Sequence, residues 1–248
     1  MKLATWNCHR RFDTNNGQVA GERPALAVVQ ECIDPKHVPA VASQRLDWLD
    51  CYDPTRNKRR DPSNGIGVLS WTGLTATRYE GYCDGIRCAL PLRITGEQTF
   101  NVLAVWNKKM PSQVNDLCGY VHMLERMLEV YDTFIREPNT VILGDFNTSA
   151  AYEWEQRHKR LTHNGIVEYL RELKLVSAYH AARGLSQHGG EEPTHRNNDP
   201  RARVLHIDYC FIPQDWVGRL ESATLAAFGA SDHTPLVVEL SDPDRTSI

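Results

Sequence analysis

The sequence predicts an α+β fold, with sheets inside and helices outside. Short β-branched or alternating runs outnumber helical stretches, and several follow one another directly. One long stretch, ending at Ile135, switches to three- and four-residue apolar steps, which suits a helix packed on a sheet. At 248 residues and 41% hydrophobic content the chain can bury one full core, so a single domain over 1–248 is expected.

Residues 2–7 read as a first strand, and the polar stretch 13–24 as loop or short helix. Ala25 to Gln30 reads as a second strand ending at Glu31, and Val38 to Leu49 as a helix. Residues 53–64 are turn-rich and basic (Arg56, Lys58, Arg59, Arg60) and read as an exposed loop. Ile66 to Trp71, Arg87 to Thr95 and Thr99 to Trp106 read as strands. The helical face then runs through Val114, Leu117, Val121, Leu124, Leu128, Tyr131 and Ile135. Thr140 to Leu143 reads as a buried strand ending in Gly144-Asp145-Phe146-Asn147. A helix is expected over Ile166 to Leu173, a long loop over 184–203, and closing strands over 204–212 and 235–240. The last eight residues are polar and expected to fray, and no internal repeat or linker is evident.

A net charge of −3 argues against strong general nucleic-acid affinity but leaves room for a local basic groove. Seven cysteines without C-x-x-C spacing fit reduced thiols in a cytoplasm better than a disulfide framework or a zinc site. The start of the chain has no long apolar stretch, so no secretory signal is expected. No run of about 18 apolar residues occurs, so no membrane span is expected either. No protein partner is indicated.

The chemistry collects at strand tips. Asn7 and Glu31 end the first two strands. A charge after an apolar run is costly to bury unless it is paired or metal-bound, although a lone Glu at a strand end is ordinarily just exposed. Asp145 and Asn147 stand two residues apart, able to position a water or a metal. Over 204–212, Leu205, Ile207, Tyr209 and Phe211 share one face, and His206, Asp208 and Cys210 the other. An inward Asp208 needs a donor, either a histidine or an arginine such as Arg203. Ser231-Asp232-His233 precedes the last strand. If that strand runs antiparallel to the others, all these tips share one rim, which favours an enzyme over a binding module.

Trp6-Asn7, Gln30-Glu31, Gly144-Asp145-Phe146-Asn147, His206-Ile207-Asp208-Tyr209 and Ser231-Asp232-His233 resemble, in order and approximate spacing, the endonuclease/exonuclease/phosphatase (DNase I-like) superfamily. The resemblance spans residues 6 to 240. The combination is specific for the superfamily and poorly specific for substrate. It implies a four-layer α/β/β/α sandwich of two packed mixed sheets flanked by helices. It also implies phosphoester hydrolysis dependent on a divalent metal, Mg²⁺ or Mn²⁺. By the same resemblance, Asn7 and Glu31 are metal-binding positions, with Glu31 the principal ligand, and Asp232 can contribute. Asp145 orients or deprotonates the attacking water, Asn147 contacts the phosphate, His233 contacts the phosphate, and Asp208 orients His233.

Three positions depart from the superfamily pattern. Many members carry His or Tyr where this chain has Trp106, whose indole offers one donor and no base. Trp106 is read as a pocket wall, a stacking surface or a core residue, and Asn107 as a substitute donor. His9 stands where abasic-site endonucleases have a carboxylate, and Cys32-Ile33-Asp34 lacks their basic residue, which weighs against that activity. His9, Trp106 and Asn107 are candidate substrate contacts. Lys108 and Lys109 are candidate phosphate contacts or simply solvated charge. The expected activity is a nuclease acting on DNA or RNA. The alternative is a hydrolase of a small phosphoester such as a nucleotide, phospholipid headgroup or inositol phosphate, and a silent binding module is the third reading.

Overall fold

The computed structural model describes residues 1–52, 59–108, 118–151, 162–187, 190–196 and 204–243. Among them twelve strands alternate with short helices. The strands are β1 (Lys2–Asn7), β2 (Leu26–Cys32), β3 (Arg45–Asp50), β4 (Gly65–Leu69), β5 (Thr75–Arg78), β6 (Ala89–Thr95), β7 (Phe100–Trp106), β8 (Thr140–Asp145), β9 (Leu175–Ser177), β10 (Asp208–Pro213), β11 (Leu220–Leu225) and β12 (Leu236–Leu240). The helices are α1 (Phe12–Asn15), α2 (Gly17–Ala20), α3 (Cys118–Val130), α4 (Asp132–Ile135), α5 (His163–Glu172) and α6 (Ala178–Arg183). The strands form two six-stranded sheets, ordered β11-β12-β1-β2-β4-β3 and β5-β6-β7-β8-β10-β9. Both are mixed. Each has one parallel pair at its centre, β1 with β2 and β7 with β8, and antiparallel pairs elsewhere. Advancing every strand number by six, cyclically, converts one order into the other. The topology is therefore repeated although the sequence shows no repeat.

The two sheets pack face to face with helices outside, the layering the sequence predicts. Strand alternation sorts the side chains. In β1, Leu3 enters the main core, while Ala4 and Trp6 join a second cluster with Phe12, Val19 and Val41 outside the sheet. The run Val141-Ile142-Leu143 is buried throughout because β8 is covered on both faces.

The orientation of the central strands builds one rim. β1, β2, β7 and β8 end there, while β10 and β12, antiparallel to β8 and β1, begin there. Asp208 is the register partner of Asp145.

Several expected elements differ. Val38 to Leu49 is not a helix: Pro39 interrupts it, Asp34 caps a 3₁₀ turn at Pro35–His37, and residues 45–50 pair with β4 as an edge strand. The long helix is divided at Tyr131, and its first two positions, Val114 and Leu117, lie outside the described residues. Arg56, Lys58, Lys109 and Arg203 also lie outside them. The polar stretch 13–24 holds α2 and all of α1 but its first residue, Phe12. The short edge strands β5 and β11, β9 and the helix α6 carry too little periodicity to be read. Among the described residues no helix is long and apolar enough to cross a membrane.

A polar layer lies between sheet and helices behind the rim. His163 is fully buried, with Nδ1 at 3.0 Å from Thr148 Oγ1, and burial pushes it down to about 4. His206 is buried against Tyr179 and Tyr209, with Nδ1 donating to the Glu192 carbonyl at 2.8 Å, and burial pushes it too down to about 4. Above the ordinary histidine value of about 6.5, both rings are neutral folded and unfolded and contribute no pH dependence. Below it the unfolded chain binds protons that the folded chain refuses. The two histidines should therefore withdraw stability as pH drops from about 6.5 towards 4, by on the order of 3 kcal/mol each, whatever other groups add or offset in the same range. Urea midpoints of wild type and His163→Gln compared across this range isolate one histidine's share, the variant losing about one proton's worth of slope.

Candidate active site

Each rim residue reaches its place for a local reason. Asn7 follows Leu3 and Thr5 on the inward face of β1. Its Nδ2 donates to Glu31 Oε1 at 3.2 Å and to Asp145 Oδ2 at 3.0 Å, and its Oδ1 accepts the His9 N–H at 3.0 Å. Simple alternation would point Glu31 outward with Ala27 and Val29. A β-bulge between Gln30 and Cys32, with Glu31 at φ 53°, turns it to the rim instead. Glu31 also lies 3.5 Å from Arg10 Nε.

Asp145 depends on Gly144. Gly144 has φ 151°, and a Cβ there would lie 1.8 Å from the Val105 carbonyl oxygen in the parallel ladder. Asp145 is fully buried and accepts from Asn7, from the Asn147 N–H at 2.9 Å and from Asn147 Nδ2 at 2.8 Å. Asn147 stands at φ 51°, a conformation asparagine tolerates, and also donates to the Asn107 carbonyl at 2.9 Å. Burial and the neighbouring Asp208 push Asp145 up to about 7, against the opposing pull of His233, Asn7 and Asn147.

His233 Nδ1 lies 2.8 Å from Asp208 Oδ2. Burial alone would lower the imidazole, but the charge and hydrogen bond of Asp208, with Asp145 and Asp232 adding, raise it to about 9. His233 is therefore an imidazolium at neutral pH, with Nε2 left for the cleft. The donor open to Asp208 in the sequence is thus His233, while Arg203 lies outside the described residues. Thr194 Oγ1 accepts the N–H groups of Ile207 and Asp208 at 3.0 and 3.1 Å. Asp208 Oδ1 is buried without a hydrogen-bond partner. Ser231 braces the loop, accepting the His233 N–H and donating to the Asn7 carbonyl at 2.7 Å.

Asp232 sits between two histidines: His9 Nδ1 is 3.1 Å from Oδ1, and His195 Nε2 is 3.7 Å from Oδ2. Burial opposes its ionisation, but His195, His233 and His9 hold it down at about 2. His195 went unnoticed in the sequence. It belongs to a one-residue bridge to Leu205 and His233, too short to leave a period. Its ring lies 4.7 Å from that of His233.

Asn7, His9, Glu31, Trp106, Asn107, Asp145, Asn147, Asp232 and His233 border one cleft of about 390 Å³, with His195 beside them and Asp208 behind His233. Asn107 is fully buried, and its amide donates to the Tyr120 and Phe146 carbonyls at 2.8 and 2.6 Å, so it clamps the floor and is committed before any substrate arrives. A larger cavity of about 600 Å³ lies at the opposite rim, near Arg136, Lys174 and Gln214, away from the carboxylates. The ligand atoms of Asp145, Asp208 and His233 lie within 4.8 Å of one another, but the Asp208–His233 hydrogen bond already fills that space with an imidazolium. The carboxylate oxygens of Glu31 and Asp232 on this cleft are chemically suited to a hard divalent cation, and Asn7 can add only its Oδ1, since its Nδ2 donates to Glu31 and Asp145.

No protein-family model matches the sequence, and no curated protein matches it. Solved structures do. A 3′-5′ exonuclease from Neisseria meningitidis matches with a TM-score of 0.66 and 18% identity, over 97% of this chain and 100% of that one. The chain has the DNase I-like fold. An AP endonuclease from Archaeoglobus fulgidus matches with a TM-score of 0.65 and 16% identity, over 97% and 99%. A Neisseria 3′ phosphatase bound to a product DNA hairpin matches with a TM-score of 0.62 and 18% identity, over 97% and 99%.

Because the Val105 carbonyl is ladder backbone and cannot move aside, Gly144→Ala should cost on the order of 3 kcal/mol of folding stability. Urea denaturation at pH 7.5 measures this, and a loss below about 1 kcal/mol would contradict the close approach.

Proposed function

We propose that the protein is a divalent-metal-dependent phosphoester hydrolase, acting on nucleic acid as a nuclease. The carrying observation is the convergence of Glu31, Asp145, Asn147, Asp232 and His233, from both sheets, on one cleft. The exonuclease, AP endonuclease and DNA-bound phosphatase among the structural neighbours support nucleic acid as the substrate class. Glu31 with Asn7 would hold the cation, Mg²⁺ or Mn²⁺, and Asp232 flanks it. When bound, such an ion polarises a phosphoryl oxygen and offsets charge on a leaving oxygen.

The chain's own residues would do the rest. Asp145, raised towards neutrality, takes a proton from the attacking water. Asn147 fixes the Asp145 carboxylate through two donors and faces the phosphate. His233 donates from Nε2 to a non-bridging oxygen whose charge grows in the transition state, and Asp208 holds the ring. Six described free thiols, five of them buried, suit a reducing, cytoplasmic compartment.

A screen of single-stranded DNA, duplex DNA, RNA and small phosphoesters with Mg²⁺ or Mn²⁺ should show metal-dependent cleavage of nucleic acid. Activity confined to nucleotides or inositol phosphates would replace the substrate class, and inactivity on the whole panel would refute the hydrolase. In calorimetry Glu31→Gln should weaken metal binding about tenfold or more. His233→Ala should lower kcat about 100-fold or more, and full activity in that variant would remove its assigned role.

A further inference from the structure

Two cations of the cleft have carboxylate partners close by. Arg10 lies 3.5 Å from Glu31 and 3.1 Å from Asp61, and His233 lies 2.8 Å from Asp208. Arg196, at the edge of the cleft, differs. It follows His195 in the bridge to His233, and backbone bonds tie the bridge on both sides. The Arg196 N–H donates to the Asp232 carbonyl at 2.8 Å, and the Thr234 N–H to the Thr194 carbonyl at 2.8 Å. The backbone of Arg196 is therefore fixed beside two residues that border the cleft, His195 and Asp232.

The Arg196 side chain is exposed, and its guanidinium lies over the half-buried Phe228 ring, with Cζ 4.0 Å from the centroid. Among the described residues no carboxylate, carbonyl or amide accepts a hydrogen bond from it. The ring has a firm seat. The loop between β11 and β12 is closed by the Ala226 N–H donating to the Pro235 carbonyl at 3.0 Å, and Gln18 Nε2 of α2 donates to the Ala227 carbonyl at 3.1 Å. Gly229 lies so close that a Cβ there would fall 2.4 Å from Gln18 Nε2. An aromatic face holds a guanidinium without cancelling its charge. Stacking leaves the in-plane N–H fork open, and that fork matches a phosphate with two parallel hydrogen bonds. Holding the side chain beforehand lowers the entropy lost when the anion arrives.

We infer that Arg196, carried on the Phe228 ring, binds a phosphate of the substrate strand beside Asp232, outside the cleft, so that the substrate is a phosphodiester chain with phosphates beyond the one hydrolysed. The identity of the strand rests on the nuclease reading; the phosphate contact needs no hydrolysis. Phe228 acts as a positioning residue, through Arg196.

Fluorescence anisotropy of a labelled single-stranded oligonucleotide in EDTA reads binding without turnover. Arg196→Met should weaken binding about tenfold. It should also reduce the salt slope of log affinity by about 0.7, the value of one phosphate contact on a single strand. Arg196→Lys should keep the slope and recover only part of the affinity, because an ammonium lacks the planar fork. Phe228→Leu should weaken binding when Arg196 is present and change nothing in Arg196→Met. Replacing phosphates one at a time by neutral methylphosphonate should find a position that costs wild type about tenfold and costs Arg196→Met nothing more. Hydrolysis of bis-p-nitrophenyl phosphate by the wild type with Mg²⁺ or Mn²⁺ tests the hydrolase reading separately.

Unchanged affinity and salt slope in a folded Arg196→Met overturn the inference, as does a wild type that binds no oligonucleotide. An Arg196-dependent loss on removing a base instead of a charge also overturns it, by assigning the pair to stacking. If the small ester is hydrolysed while Arg196→Met binds like wild type, the inference falls and the hydrolase reading stands. If nothing is hydrolysed but the methylphosphonate effect depends on Arg196, the phosphate contact stands and the hydrolase reading falls.

Discussion

At the rim a single amide touches a carboxylate of each sheet. Asn7 Nδ2 donates to Glu31 in its own sheet and to Asp145 across the sandwich. Two like charges brought together at the end of a dry core repel, and a shared donor lets them stay. Three backbone features make the sharing possible. The period of β1 aims Asn7 inward, a bulge turns Glu31 back towards it, and the bare α-carbon of Gly144 lets β8 run close beside β7. Without any one of them the amide would lose its hold on one of the two carboxylates. The rest of the site is assembled around that point, Asn147 on Asp145 and Ser231 on the Asn7 carbonyl.

Asp208 sets the electrical character of the site. It raises Asp145 by repulsion and His233 by attraction. Burial pushes Asp145 up first and the same buried charge adds to it, leaving a carboxyl that can accept a proton near neutrality, while in His233 that charge outweighs burial and makes a lasting cation. The cost is visible in Asp208 Oδ1, buried without a hydrogen-bond partner. Asp232, more exposed and flanked by His9 and His195, takes the opposite course and stays ionised. Asp145 and Asp232, close in space, thereby acquire opposite tendencies from their surroundings alone.

Much of this was legible in the sequence because strand tips announce themselves. An apolar run that stops at Gly-Asp-x-Asn has one plausible geometry, and Asp145 and Asn147 occupy it. Asn7 was read as the tip of the first strand, and the parity of β1 aims it inward. Parity fails at Glu31, because a bulge inserts one residue and no composition marks it. Edge strands such as β3 and β5 pair on one side and pack weakly, so their polar residues resemble loop. His195 was hidden because it is held only by isolated bridges, to Leu205 and His233, outside any strand. Trp106 was left open between wall, stacking surface and core residue, and the Lys108 ammonium over its ring is a contact that spacing cannot show.

The repeated strand order has a further consequence. β1 and β2 occupy in one sheet the places of β7 and β8 in the other. Their tips are Asn7 and, through the bulge of β2, Glu31 on one side, and Trp106 and Asp145 on the other. Equivalent positions in the frame therefore carry a carboxylate in both halves at one pair of tips, but an amide opposite an indole at the other. A frame with twofold likeness, decorated evenly, would accept a linear molecule equally well in either direction. The uneven pair abolishes that equivalence. The two halves of the cleft therefore differ in chemistry although the frame around them is alike.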